Sequence, residues 1–274
     1  MADFGMLFDM LGFDYTSTPA WQMVPVGGDR YVTLGDAKGL KVVSTQPSVV
    51  TVQEIDQRDL PKWDLPIPTF SGDRFLRLHG VSRGAATILA SDGPREKARL
   101  EVNTKTLKEV RVSFNFVKDT GGVKTSHAPT EAVEWIRGLN KIYQQCNLRL
   151  LCRASRWISV NADLGWVVSY VPLGTAEENR EWNLVVANYD PGSEVNVFLF
   201  NDFRLGNPTS DNASGLTWGR CSGVDDDATP YIKTMAHEIG HTQGLRDDGL
   251  VDDALMGWKD GVHLRRAEVN IVNP

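Results

Sequence analysis

Residues 237–247 read His-Glu-Ile-Gly-His-Thr-Gln-Gly-Leu-Arg-Asp, and this stretch decides how the C-terminal half is read. On a helix, side chains four residues apart lie over one another on one face, so His237 and His241 can grip one metal ion. Glu238 sits one residue on, where it can reach a water held by that ion and act as general base. The flanking pattern predicts a helix near 230–243. At about 100° per residue, Ile232, Met235, Ala236 and Ile239 fall within one arc, and the two histidines fall opposite. Thr229 reads as the N-cap and Pro230 as part of the first turn. Gly244 can end the helix in a left-handed conformation, because it has no Cβ to clash. The chain then turns back and carries Asp247 toward the ion, where a carboxylate oxygen suits zinc as well as an imidazole nitrogen does. Asp248, one residue off in register, and Glu268, on a later helix, are alternative third ligands.

Upstream of the motif the elements alternate. Residues 110–117 predict a strand with Val110, Val112, Phe114 and Phe116 on one face. Residues 129–146 predict a helix with a stripe of Ala132, Val133, Ile136, Leu139 and Ile142. Strands are expected at 148–152, 183–187, 194–200 and 216–221, and a closing helix at 263–272. This order implies an α/β or α+β domain with a mixed sheet.

The pattern HExxHxxGxxD from His237 to Asp247, followed by Ala254, Leu255, Met256 and Gly257, resembles the metzincin clan of zinc peptidases. The aspartate variant is similar to the snapalysins. The resemblance spans residues 107–274, and its specific part is 237–257. It implies zinc on His237, His241 and Asp247, Glu238 as catalytic base, and Met256 as an apolar floor beneath the metal. It also implies a protein or peptide substrate lying along an edge strand at Thr217, Trp218 and Gly219. The tyrosine that many of these peptidases carry after the methionine turn is missing. His263 lies in that neighbourhood, either as an oxyanion donor or as a surface residue at a helix start. The run 225–227 reads either as a Ca2+ site near the entrance or as a solvated acidic loop before the helix.

The N-terminal half reads differently. Short β-like runs at 40–44, 48–53, 74–79, 85–90 and 98–102 are separated by Gly, Pro, Ser and Asp, which predicts an antiparallel sandwich. The runs 44–52, 78–90 and 98–102 resemble bacterial immunoglobulin-like repeats. Residues 55–69 read as an inserted loop. Residues 1–30 read as an irregular lead-in, with Met6, Leu7, Met10 and Leu11 at helical spacing over 4–11, either capping a core or docking a partner. The expected organisation is a multidomain chain. A lead-in (1–30) precedes an all-β immunoglobulin-like sandwich (31–104) and a metzincin-like α/β domain (107–274) with an active-site helix and a methionine turn.

Of the 274 residues, 41% are hydrophobic and 23% charged, which is enough apolar content for a packed core. The net charge of −6 argues against nucleic acid or an anionic membrane surface as partner. No apolar run approaches the roughly 18–20 residues of a membrane span. Asp3, Asp9 and Asp14 interrupt the N-terminal stretch, which does not read as a signal peptide. Three cysteines are too few for a disulfide scaffold. Cys146 and Cys152 pair, or all three are thiols. The resulting expectation is a zinc metalloendopeptidase, a bacterial exported effector or toxin delivered by a specialised secretion system, or otherwise cytoplasmic. The sandwich is expected to bind a target or a delivery component. The rival readings are a binding protein that works through the sandwich and a zinc amidase acting on cell-wall peptides.

Overall fold

The computed structural model describes residues 2–8, 11–61, 73–171, 174–205, 214–248, 254–257 and 261–274. They form a β-rich, mixed α/β, multi-sheet structure. The chain divides into two compact units: residues 1–108, 143–148 and 263–274, and residues 109–142 and 149–262. Among the described residues no helix is long and apolar enough to cross a membrane.

The first unit carries β1 (Asp3–Met6), β2 (Phe13–Asp14), β3 (Trp21–Pro25), β4 (Asp29–Gly35), β5 (Lys41–Ser44), β6 (Val50–Ile55), β7 (Arg74–Gly80), β8 (Gly84–Asp92) and β9 (Arg95–Lys105). One sheet runs β1-β4-β7-β6 and the other β2-β3-β9-β8-β5. Alternate residues of both enter one core: Phe4, Val32, Leu34, Leu76 and Leu78 from the first, Val24, Ile88, Leu100 and Val102 from the second. Period-2 burial on two facing sheets makes a sandwich.

The first thirty residues contribute β1, β2, β3 and the start of β4 to these sheets, contrary to the expected lead-in. The helix expected over 4–11 is replaced by β1, which pairs with β4 from Asp3↔Gly35 to Met6↔Val32. A strand fits because Phe4 is buried while Met6 is exposed. β3 is a parallel neighbour of β9, and its Trp21, Met23 and Val24 are fully buried. Residues 9–10 and 62–69 of the expected helix and loop lie outside the described residues. His79 is occupied by Asp29, Nδ1 to Oδ1 at 2.8 Å.

The second unit carries β10 (Lys108–Lys118), α1 (Ala132–Tyr143), β11 (Leu148–Ser159), β12 (Val168–Tyr170), α2 (Arg180–Val186), β13 (Val195–Phe200), β14 (Phe203–Leu205), β15 (Gly215–Trp218), β16 (Cys221–Asp225) and α3 (Tyr231–Thr242); α4 (Arg266–Val272) follows in the first unit. The main sheet runs β11-β10-β13-β16-β15. β10, β13 and β16 are parallel, and β15 returns antiparallel on β16. Both faces of the parallel strands are covered. α2 packs Trp182 and Val185 with Phe198 and Phe200 on one face. On the other, Trp135 of α1 stacks on Phe116, and α3 packs against β13, β15 and β16. A Cβ on Gly138 of α1 would stand 3.0 Å from Ile232 Cγ2 of α3, so the glycine permits this close approach.

Several local expectations are corrected. The strand expected at 183–187 belongs to α2, because Trp182 and Val185 are buried at a spacing of three, on one helix face. In α1, Val133 is exposed and Trp135 takes its place in the apolar stripe. The strand expected at 216–221 is a hairpin. Gly219 has φ +62, and with Arg220 it forms the two-residue turn between Trp218 and Cys221, where a left-handed residue suits the strand twist. Cys146, Cys152 and Cys221 are all free thiols. The closing helix and His263 fall in the first unit, not with the 107–262 segment.

Candidate metal centre

α3 carries the motif at its C-terminal half. Met235, Ala236 and Ile239 are buried. Pro230, not Thr229, is the N-cap residue and has no side-chain capping bond. The Thr229 hydroxyl donates to the Asp227 carbonyl instead, at 3.2 Å. At the other end Gly244 has φ +93. The Leu245 amide donates to the Gly240 carbonyl at 3.1 Å and the Gly244 amide to the His241 carbonyl at 2.9 Å. These two bonds are the Schellman ending that a left-handed glycine allows.

That ending orients a ligand. The Leu245 carbonyl accepts from His241 Nδ1 at 3.0 Å. The Leu255 carbonyl, in the methionine turn, accepts from His237 Nδ1 at 3.0 Å. With each Nδ1 donating to a carbonyl, each Nε2 presents a lone pair. Burial lowers the His237 pKa, which also favours the neutral ring. The two Nε2 atoms are 3.1 Å apart. Asp247 Oδ1 is 3.1 Å from His237 Nε2 and 3.4 Å from His241 Nε2.

Three electron-pair donors that face one another at these distances can share a cation, either a ring proton or a metal ion. Ligands about 2.0–2.1 Å from a tetrahedral ion stand about 3.3 Å apart, so the spacing itself fits a small divalent metal. His237, Glu238 and His241 also offer ligand atoms that all lie within 4.8 Å of one another. Asp247 is thus brought to the histidines. Asp248 instead donates its amide to the Met256 carbonyl at 2.9 Å, and Glu268 accepts from the Arg265 amide at the start of α4. His263 and Glu268 both belong to the first unit.

Met256 is fully buried against the helix between the two histidines. A Cβ on Gly240 would meet its sulfur at 2.9 Å, so the glycine inside the motif makes room for the methionine. Lys233 Nζ donates to the Gly257 carbonyl at 2.8 Å and ties the same turn to α3.

Glu238 is 6% exposed. Burial pushes its carboxyl above the ordinary range, and a hydrogen bond from Thr217 pulls the other way. Thr217 Oγ1 is 2.7 Å from Glu238 Oε2. A Cβ on Gly215 would lie 2.7 Å from Glu238 Cγ and Oε1. β15 is the outer strand of its sheet among the described residues. Thr217 faces Glu238, whereas Trp218, its neighbour on the strand, is 61% exposed. Neither the Thr217 contact nor the Gly215 contact has a local signature in the sequence, because sheet pairing creates both.

The acidic run splits three ways, with Asp227 exposed to solvent. Asp226 accepts from the Thr125 hydroxyl and from the Ser126 amide. Asp225 is buried with Oδ1 unpartnered. Burial, then Asp202, Asp227 and Asp226, raise its pKa to about 7. An acid with a raised folded pKa stabilises the fold fully below the unfolded value, about pH 4, and that contribution is lost as pH rises through about 7. Asp225→Asn is therefore expected to raise Tm at pH 8 and leave it unchanged at pH 4. After discounting for solvent screening, the gain is about 1–2 kcal/mol, or about 3–6 °C. Thermal melts at the two pH values check this. A site for Ca2+ at this run gives the opposite pattern: added calcium raises the wild-type Tm and the asparagine variant loses that gain.

No family model matches the chain, and no curated protein does. Solved structures are similar over parts of it. The S-layer protein SbsC, in its domains 1–6, matches over 32% of this chain and 12% of that one, at 17% identity and a TM-score of 0.24. A chaperone–substrate complex matches over 72% of this chain and 37% of that one, at 13% identity and a TM-score of 0.36. The tandem Ig repeats of Dlar match over 34% and 54%, at 12% identity and a TM-score of 0.17. This chain spans less than two thirds of each of these chains.

Proposed function

We propose that this protein is a zinc-dependent endopeptidase, with a metzincin-like second unit and an immunoglobulin-like sandwich as accessory unit. The observation that carries the reading is the convergence of His237 Nε2, His241 Nε2 and Asp247 Oδ1 beside the buried carboxylate of Glu238. Nitrogen and carboxylate donors of this kind suit zinc, and three of them leave a fourth position open. A zinc ion held by His237, His241 and Asp247 would supply acidity to a bound water and polarisation of a peptide carbonyl.

The chain's own residues do the rest. Glu238 takes a proton from the attacking water and delivers it to the leaving amine. Its low exposure strengthens that exchange, because a carboxylate in a poorly solvated pocket is a stronger base. The carbonyls of Leu245 and Leu255 hold the imidazoles in the ligating tautomer. The edge of β15 away from β16, which pairs with no strand among the described residues, offers backbone groups to an extended peptide, as in strand addition. Met256 fills the space under the histidines and excludes water from that side.

The test is hydrolysis of a mixed peptide pool by zinc-loaded wild type beside Glu238→Ala. Cleavage by the wild type alone supports the reading, and the cut sites give its preference. Zinc bound one to one without cleavage by the wild type favours a binding protein, and cleavage confined to cell-wall peptides favours an amidase.

A further inference from the structure

We propose that Thr217, itself set by Ser222, is the positioning residue that aims the Glu238 carboxylate. The proposal deepens the hydrolytic reading and rests on it for its kinetic arm only. Thr217 and Ser222 are cross-strand partners in the β15–β16 hairpin, with hydroxyls 2.9 Å apart. Thr217 Oγ1 is 2.7 Å from Glu238 Oε2 and 2.8 Å from the Glu238 main-chain oxygen. Ser222 is fully buried, so its own hydroxyl needs an acceptor.

A hydroxyl has one proton to give and two lone pairs to receive. The ionised carboxylate is the stronger acceptor, because a charge-assisted bond outweighs a neutral one. Thr217 therefore donates to Oε2, and Ser222 donates to Thr217 at 2.9 Å, a shorter contact than its alternative acceptor, the Glu238 main-chain oxygen at 3.4 Å. The chain Ser222 to Thr217 to Glu238 fixes the carboxylate plane through a rigid hairpin. Among the described residues no donor reaches Oε1, which leaves that oxygen to take the proton. Gly215 completes the device from the same strand, since any Cβ there would meet Oε1 and Cγ. The β-branched threonine also suits its strand position, so valine can replace it without changing the backbone preference.

The experiment uses the full zinc-loaded chain with Thr217→Val, Thr217→Ser, Ser222→Ala and Glu238→Ala. It reads zinc content, acetohydroxamate affinity and peptide hydrolysis. Acetohydroxamate chelates the metal and offers N–H and O–H donors to a neighbouring carboxylate, so its affinity reports the aim of Glu238 without turnover. The expected result is one zinc per chain throughout. Thr217→Val weakens the hydroxamate about tenfold and lowers kcat about thirtyfold with KM nearly unchanged, the range that one charge-assisted hydrogen bond allows. Thr217→Ser restores both, and Ser222→Ala falls between. In the Glu238→Ala background, Thr217→Val has no further effect on the hydroxamate, because the two residues act as one unit.

Wild-type values for Thr217→Val overturn the proposal, as does an undiminished Thr217→Val effect in the Glu238→Ala background. If wild type cleaves no peptide, the hydroxamate cycle alone decides. Coupling there upholds Thr217 as the aiming residue while the peptidase reading fails, and absence of coupling overturns Thr217. Loss of fold in Thr217→Val transfers the decision to Ser222→Ala, whose hydroxamate affinity must then fall.

Discussion

Alanine at Asp247 lowers zinc affinity by about a hundred- to a thousandfold, whereas alanine at Asp248 leaves it nearly unchanged. The magnitude follows from dividing the roughly 10–16 kcal/mol of a four-ligand zinc site among its ligands, which assigns about 2.5–4 kcal/mol to each. Asp247 Oδ1 lies 3.1 Å and 3.4 Å from the two Nε2 atoms, so its removal deletes one corner of the site and one negative charge. Asp248 binds the methionine turn through its backbone amide, and that bond survives alanine. Asp247→Asn separates charge from shape: it keeps an oxygen in place and falls between the two. Competition with a chelator of known affinity measures all three variants. Equal losses at 247 and 248 contradict the ligand assignment.

The second large effect is expected at Gly215. Gly215→Ala lowers kcat about a hundredfold while zinc affinity stays near wild type, since a displacement near 1 Å at a reacting group costs on that order. Gly215 is in a strand and is not among the residues with positive φ, so alanine strains no backbone. The three nearest atoms all belong to Glu238: Cγ and Oε1 at 2.7 Å and Cδ at 2.9 Å from the added carbon. A glutamate at a free surface would swing aside. This one is 6% exposed and tied to Thr217, so it moves only by losing that bond. Steady-state kinetics beside a zinc titration checks the prediction, and an unchanged kcat refutes it.

What the sequence made legible was local. The histidines, the glutamate and the glycine that ends α3 lie within eight residues of one another, from His237 to Gly244, and helical geometry alone brings the first three together. Five of the nine strands of the sandwich were legible from alternation between turn residues. The first four described strands, β1 to β4, were not: β1 pairs with β4 about thirty positions away, β2 has two residues and β3 pairs in parallel with β9, some eighty positions away. Periodicity carries no information about such a partner. The run at 183–187 looked extended because its apolar residues are adjacent; burial at a spacing of three in α2 is decided by Phe198 and Phe200 opposite it. Thr217 was legible only as part of an edge strand and Gly215 not at all, since what each faces depends on the hairpin register.

The first unit is also discontinuous in the chain. Its strands end near residue 108, yet Arg266 pairs with Glu101 and its amide donates to Asp14. Asn273 donates to the carbonyls of Thr106 and Cys146. The ribosome therefore delivers all nine sandwich strands first but completes the second unit, residues 109–142 and 149–262, before releasing the segment that closes the first. The order of completion during synthesis is the reverse of the order of beginning, and a sandwich expressed as residues 1–108 lacks Arg266 beside Glu101 and Asp14 and Asn273 beside the Thr106 carbonyl.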